Sequence, residues 1–561
     1  MQTILTLQDI ELSKEMYSSG YWTKDTYYTT LCKHAEASPD RFAVRDANSR
    51  LTFRQLLACV DKLAADLHVA GLQAGDRVSL WMSSRVDVAI AFIACSRMGY
   101  ACNSSLHRDY TCEEIVALVK RIGSAALIHE RDYGADSDRR NIVDMLRGVA
   151  GLKFIRQLDP LRDGGDIDGL SPIQGDAVVD LPYKTTPDRV TYLALTSGST
   201  GVPKGVMHTD NTLLSNARAV AVDWRFDNKT VVYSISPLSH NIGIVGLSIA
   251  LVSGGEFVCH SPLDARRLLD RIIETGATFL LGVPTHGIDL VAGCKQRGLT
   301  SLGQVSTFQV GGAPVPPALV RNLRALSVQI MNAFGMTENC CVHYTRPDDD
   351  EVTIAETCGR AGAGYETSLW REDDINVPQS EGEVGELAVR GPGMMLGYFD
   401  DQITTERSYN RLGWFMTGDL ARLDAKGNLQ IVGRKKDVII RGGHNIYPVR
   451  IENLALRHPN VFKVAAFPVA DERLGEKVCL GVVLKEKGAT APAEVLEHLH
   501  QLGLSKYDMP EYFVEVDALP VTANGKVYKG ALVQSVSEGT LIPAPIRWSD
   551  SFHESGDKSR A

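Results

Sequence analysis

From about residue 40 to about residue 440 the chain alternates between apolar runs at helical spacing and short strand-like runs, which leaves few folds open. Residues 51–67 put Leu56, Leu57, Val60, Leu63, Ala64 and Leu67 on one helical face, with Thr52 as the N-cap. Gly71 and Gly75-Asp76 punctuate the pattern, 77–82 reads as a buried strand, and 86–98 reads as a second helix. Sustained over hundreds of residues, this predicts an α/β fold with largely parallel sheets. Polar loops are expected near 160–172 and 378–385.

The texture changes at Arg434-Lys435-Lys436-Asp437. Beyond it come a strand over 438–441, a Gly442-Gly443 turn, a helix from Pro448, strands over 464–469 and 478–484, and a helix over 493–502. That is an α+β unit of roughly a hundred residues, enough for its own core. The expected division is a large domain of layered sheets and helices (20–435), a small mobile domain (436–540) and a disordered polar tail (541–561). A chain of 561 residues is too long for one ordinary core. With 44% hydrophobic and 23% charged residues it reads as soluble and globular, and a net charge of -9 argues against nucleic acid as partner. No apolar run reaches the length of about 18 residues needed to span a bilayer. The N-terminus carries no secretion signal, and 11 scattered cysteines without a Cys-x-x-Cys pair suggest neither zinc nor disulfides. A cytoplasmic location is expected.

The stretch from Leu195 to Gly205 carries the most chemistry: Thr196-Ser197-Gly198-Ser199-Thr200-Gly201-Val202-Pro203-Lys204. Glycines allow close backbone approach, amide and hydroxyl groups can cradle oxyanions, and Lys204 adds a positive charge. The spacing is not that of a Walker A loop. A plain Ser/Gly linker is the bland alternative, but linkers are not bracketed by a strand and a Pro-Lys-Gly.

This loop resembles the signature of the adenylate-forming superfamily, which includes acyl-CoA synthetases, firefly luciferase and the adenylation domains of peptide synthetases. Further similar motifs recur in order from about residue 20 to about residue 530. Asn332-Ala333-Phe334-Gly335-Met336-Thr337-Glu338 resembles the second nucleotide motif, with Phe334 where Tyr is usual; the ring suits stacking on adenine and Glu338 suits Mg²⁺. Gly311-Gly312-Ala313-Pro314 resembles the segment beside adenine and the acyl pocket. Thr417-Gly418-Asp419 resembles the ribose motif, where a carboxylate accepts from both hydroxyls. Arg434 matches a ribose or phosphate contact, Lys436 the interdomain hinge, and Lys526, in Pro520-Val521-Thr522-Ala523-Asn524-Gly525-Lys526, the lysine that enters the active site. Taken singly, several of these would be ordinary turns; their order carries the reading.

The resemblance implies ATP and Mg²⁺ as cofactors and attack of a substrate carboxylate on the α-phosphorus, with Thr196, His240 and Lys526 at the reacting groups. Pro237-Leu238-Ser239-His240-Asn241 resembles the floor of the acyl pocket, and His-Asn there is typical of enzymes for hydroxylated aryl acids. Against this, Gly243 and Gly246 offer room for a longer or alicyclic chain, with Gly246 counted among the substrate-binding residues. The favoured product is an aryl or cyclic acyl-AMP, passed to coenzyme A as co-substrate. The alternatives are a carrier protein as acceptor, a medium-chain fatty acid as substrate, or a homologue without catalysis. Assembly as a homodimer is left open.

Overall fold

Two helices, Val86–Met98 and Asn241–Ser253, are apolar on nearly every side, and such helices must be enclosed by other elements. In the computed structural model they share one core with strands of two large sheets, which fixes the layering of the N-terminal domain. The structure describes residues 4–7, 9–162, 181, 186–196, 203–261, 263, 267–521 and 527–548. Ser197, Gly198, Ser199, Thr200, Gly201 and Lys526, expected to contact the substrates, lie outside these.

The first sheet has nine strands among the described residues, in the order Arg360–Ala361, Cys340–Tyr344, Gln329–Met336, Thr307–Gly311, Phe279–Gly282, Val231–Ser234, Glu256–Cys259, Phe42–Arg45 and Arg50–Thr52. It is parallel in its middle and antiparallel at both edges. The second has six, in the order Phe154–Leu158, Ser124–Glu130, Arg77–Trp81, Ala101–Asn103, Val190–Thr196 and Lys204–Thr209, parallel except for the final hairpin. A four-stranded antiparallel sheet, Glu366–Trp370 to Leu429–Arg434, completes the large domain.

The helix expected near residues 51–67 forms over Phe53–Val69, where Thr52 and Gln55 make a reciprocal capping box. The helix Val86–Met98 ends on Gly99 in the left-handed region, at φ +69°. The small domain holds the expected elements around Gly442 and Gly443, both at positive φ. Its sheet includes the long pair Val461–Asp471 and Gly475–Leu484, with helices Pro448–Ala455 and Pro492–Gln501.

The structure departs from the expected boundaries at both ends. Before residue 20, the helix Ile10–Ser18 is docked on the large domain, Tyr17 donating to Asp188 at 2.7 Å. Beyond residue 540, Ala544–Pro545 pairs with Tyr512 and Phe513, and Ile546 and Trp548 pack on the small domain's core. A polar composition concealed these two apolar anchors. No helix among the described residues is long and apolar enough to cross a membrane.

Candidate active site

The strands on either side of the phosphate-type motif pair with each other. Val190–Thr196 and Lys204–Thr209 run antiparallel with Thr196 opposite Lys204, so the described ends of the loop are fixed by a ladder. The carbonyl of Pro203 accepts from Arg121 Nη1 at 2.6 Å. Sequence patterning marked the first strand but not the second, because 204–209 is short and interrupted by polar residues.

A second hairpin brings the carboxylate. Gln329–Met336 and Cys340–Tyr344 are joined by a turn carrying Thr337 and Glu338. Gly335 permits it: a Cβ there would lie 1.8 Å from the Cys340 carbonyl oxygen. Glu338 is 7% exposed and accepts from Tyr398 Oη at 2.9 Å. Burial raises its pKa, while the Tyr398 hydrogen bond and the charges of Lys204 and Arg434 pull it back down. His208 contacts the Thr337 carbonyl at 2.6 Å through Nε2, tying the strand after the loop to this turn. A carbonyl only accepts, so Nε2 carries the proton; burial holds this imidazole neutral, its pKa lowered to about 4.

Phe334 is partly buried and packs on the cluster containing Val342, Tyr365 and Leu387. Met336 donates its backbone N–H to Asn339, and Ala333 lies within the sheet. The Asn332 amide donates at 2.9 Å to the carbonyls of Ile354 and of Thr357, so the side chain tethers the end of helix Glu351–Glu356. Gly311 ends its strand, a Cβ there meeting Ala333 O at 3.1 Å; Gly312, at φ +80°, turns the chain into the exposed Ala313 and Pro314.

Asp419, 4% exposed, lies opposite Arg434 on paired strands and accepts from its Nε at 3.0 Å. Gly418, at φ +74°, shapes the approach. Directly after Arg434 the single turn Lys435–Asp437 links the domains; Lys435 pairs with Glu386 at 2.9 Å and Lys436 is exposed. In the small domain Val521 and Val527 bridge, closing the ends of the segment that carries Lys526.

On the acyl side, His240 caps the helix Asn241–Ser253, its Nδ1 accepting from Ile242 N at 3.4 Å. Asn241 is 7% exposed and lies against the Cys340 thiol, and its Oδ1 has no hydrogen-bond partner. The expected room at the glycines is absent. A Cβ on Gly243 would lie 2.4 Å from Pro237 O, and one on Gly246 would meet Leu281 and Phe257 at 3.3 Å. These glycines seat the helix against its neighbours. Tyr398, His208 and Cys340 were not singled out in the sequence, since their respective contacts to Glu338, Thr337 and Asn241 join separate parts of the chain.

Chemically, the arrangement offers a buried carboxylate, a lysine beside it, a fixed Asp–Arg pair and an unsatisfied amide oxygen. A single buried carboxylate suits Mg²⁺, which takes one or two protein carboxylates and leaves other positions to water and phosphates. Residues 31–399 match the family of AMP-binding enzymes, and 450–526 match the C-terminal domain of AMP-binding enzymes. A salicylyl-CoA synthase / salicylate adenylyltransferase from Streptomyces sp is 31% identical, over 93% of this chain and 96% of that protein. The vibriobactin-specific 2,3-dihydroxybenzoate-AMP ligase of Vibrio cholerae is 30% identical (95% and 98%), and the medium-chain fatty-acid–CoA ligase of Escherichia coli 28% identical (92% and 91%). The ATP-bound structure of MatB from Rhodopseudomonas palustris superposes with a TM-score of 0.80 at 25% identity, covering 92% of this chain and 99% of that one. One hairpin flanking the glycine-rich stretch, a second carrying a buried glutamate, and a small C-terminal domain after them are thus the framework of a known family: this chain belongs to the AMP-binding enzymes of the adenylate-forming superfamily.

Proposed function

We propose that the protein is an acid–thiol ligase that activates a hydroxylated aryl acid as its acyl-AMP and passes the acyl group to coenzyme A. The observation that carries the adenylation step is the juxtaposition of Lys204 and buried Glu338 about one tyrosine, within the charge field of Arg434. Two anions must meet in that step, so the site has to neutralise charge and hold the reactants in line. Residues 196–204 bind the phosphates, Asp419 takes the ribose hydroxyls, and Phe334 with Gly312, Ala313 and Pro314 borders the adenine. Glu338 holds Mg²⁺, which neutralises phosphate charge. Lys526 bridges the attacking carboxylate and the α-phosphate, and the hinge at Lys436 withdraws it before the thiol arrives.

The acid class rests on Asn241. A buried amide oxygen without a partner costs about 1–3 kcal/mol, and a ring hydroxyl beside the carboxylate supplies the missing donor. The closed contacts at Gly243 and Gly246 favour a compact acid over a long chain. The names of the salicylate and dihydroxybenzoate relatives agree with this reading.

Pyrophosphate exchange into ATP, run with benzoate, salicylate, 2,3-dihydroxybenzoate, cyclohexane carboxylate and octanoate, is the direct test. Salicylate or a dihydroxybenzoate should lead, and Asn241→Leu should erase that lead; preference for octanoate would sink the aryl reading. Faster AMP release with coenzyme A than with an aryl carrier protein should then identify the acceptor.

A further inference from the structure

Tyr398 belongs to no motif read from the sequence, yet it touches both charged groups of the nucleotide site. Its ring lies under Lys204 Nζ, 4.7 Å from the centroid, and its hydroxyl donates to Glu338 at 2.9 Å. The backbone around it is fastened to the strand that begins with Lys204: Leu396 N–H donates to Met207 O at 2.9 Å, Met207 N–H to Gly397 O at 3.1 Å, and Phe399 N–H to Gly205 O at 2.7 Å. Its own N–H donates to Thr405 Oγ1 at 2.9 Å, and Met395 N–H donates to Glu338 O at 2.8 Å. Tyr398 is 6% exposed, so the ring has little freedom to leave.

The arrangement addresses a physical problem. A buried carboxylate and a nearby ammonium attract strongly at low effective dielectric, and a closed ion pair would cancel both charges before substrate enters. Here Glu338 takes its side-chain hydrogen bond from Tyr398 and not from Lys204. The ring face offers the ammonium a weaker cation–π contact that a phosphate can outcompete.

We infer that Tyr398 is a positioning residue that holds Glu338 and Lys204 apart, keeping the carboxylate for the cation and the ammonium for the phosphate. The inference rests on the assignment of Glu338 to Mg²⁺ under the proposed function. Removing the hydroxyl alone should harm the cation side, and removing the ring as well should harm the phosphate side.

Calorimetric titration of ATP into the full-length protein, with Mg²⁺ or with EDTA, reads binding apart from turnover. Tyr398→Phe should weaken Mg·ATP binding by roughly tenfold, the scale of one hydrogen bond to a charged group, and leave metal-free ATP binding unchanged. Tyr398→Leu should weaken both. Placed on Glu338→Gln, Tyr398→Phe should add less than twofold, because its effect runs through that carboxylate. Near-equal Mg·ATP affinity in Tyr398→Phe and wild type, with melting temperatures matched, would overturn the inference while leaving the proposed function intact. Full additivity with Glu338→Gln would overturn it too. Wild-type protein that binds ATP equally with and without Mg²⁺ would instead remove the metal assignment and the inference with it.

Discussion

At the scale of single residues, three buried groups each make a pH dependence of definite sign. Burial lowers the pKa of His208 and of His343 to about 4, and raises that of Asp210 to about 6. An unfolded histidine takes its proton near pH 6.5, so between about 6.5 and 4 the unfolded chain binds more protons than the folded one. Each histidine therefore removes stability as the pH falls through that window. Asp210 acts in the opposite sense: its folded form keeps a proton that the unfolded form has lost, so its contribution fades as the pH rises from about 4 to 6. Two histidines outweigh one aspartate. Urea midpoints should rise from pH 5 to pH 7, and His208→Gln should flatten that slope. A second prediction concerns Asn332. Asn332→Ala should cost about 1–3 kcal/mol in denaturant unfolding, since it leaves two helix-end carbonyls without donors. The KM for ATP should stay within about threefold, whereas a direct nucleotide contact would raise it with stability unchanged.

At the scale of elements, the site depends on turns whose residues touch backbone. Gly335→Ala would drive a Cβ into the Cys340 carbonyl, 1.8 Å away, and no side-chain rotation relieves it. The hairpin carrying Glu338 should then misform, with destabilisation above about 3 kcal/mol or insoluble protein; a folded Gly335→Ala enzyme with normal activity would contradict this geometry. The C-terminal strap offers a milder case. Cutting the chain after residue 540 removes the Ala544–Pro545 pairing and the Ile546 and Trp548 packing. The small domain should melt several degrees lower by calorimetry while the large domain's transition holds. The strands and helices themselves were largely legible, because Phe53–Val69 carries a helical apolar period, while Val86–Met98 and Gly475–Leu484 contain continuous apolar runs of helix and strand length. The strap was not, because a few apolar anchors in a polar tail carry no period.

At the scale of the whole molecule, the polar contacts between the domains among the described residues include Tyr447 to Glu372 at 3.4 Å and Arg457 to Glu356 at 3.5 Å. Exposed and half-exposed pairs of this kind are worth little each, which is compatible with the proposed rotation about Lys436. Glu372→Cys with Tyr447→Cys, cross-linked by a short reagent, should arrest one half-reaction and spare the other in single-turnover assays. Equal rates in both, linked and unlinked, would count against rotation about Lys436.

The order of motifs along the chain determined the family, the two-domain plan and the residues to suspect, because glycines, hydroxyls and charges at fixed spacing are local chemistry. Tertiary structure decided which of them meet. Asn332 turned inward to hold a helix end, Gly246 closed against Leu281 and Phe257, and Tyr398 came between Lys204 and Glu338 from far along the sequence. Contacts between residues on different elements depend on how sheets and helices stack, and no local pattern encodes that.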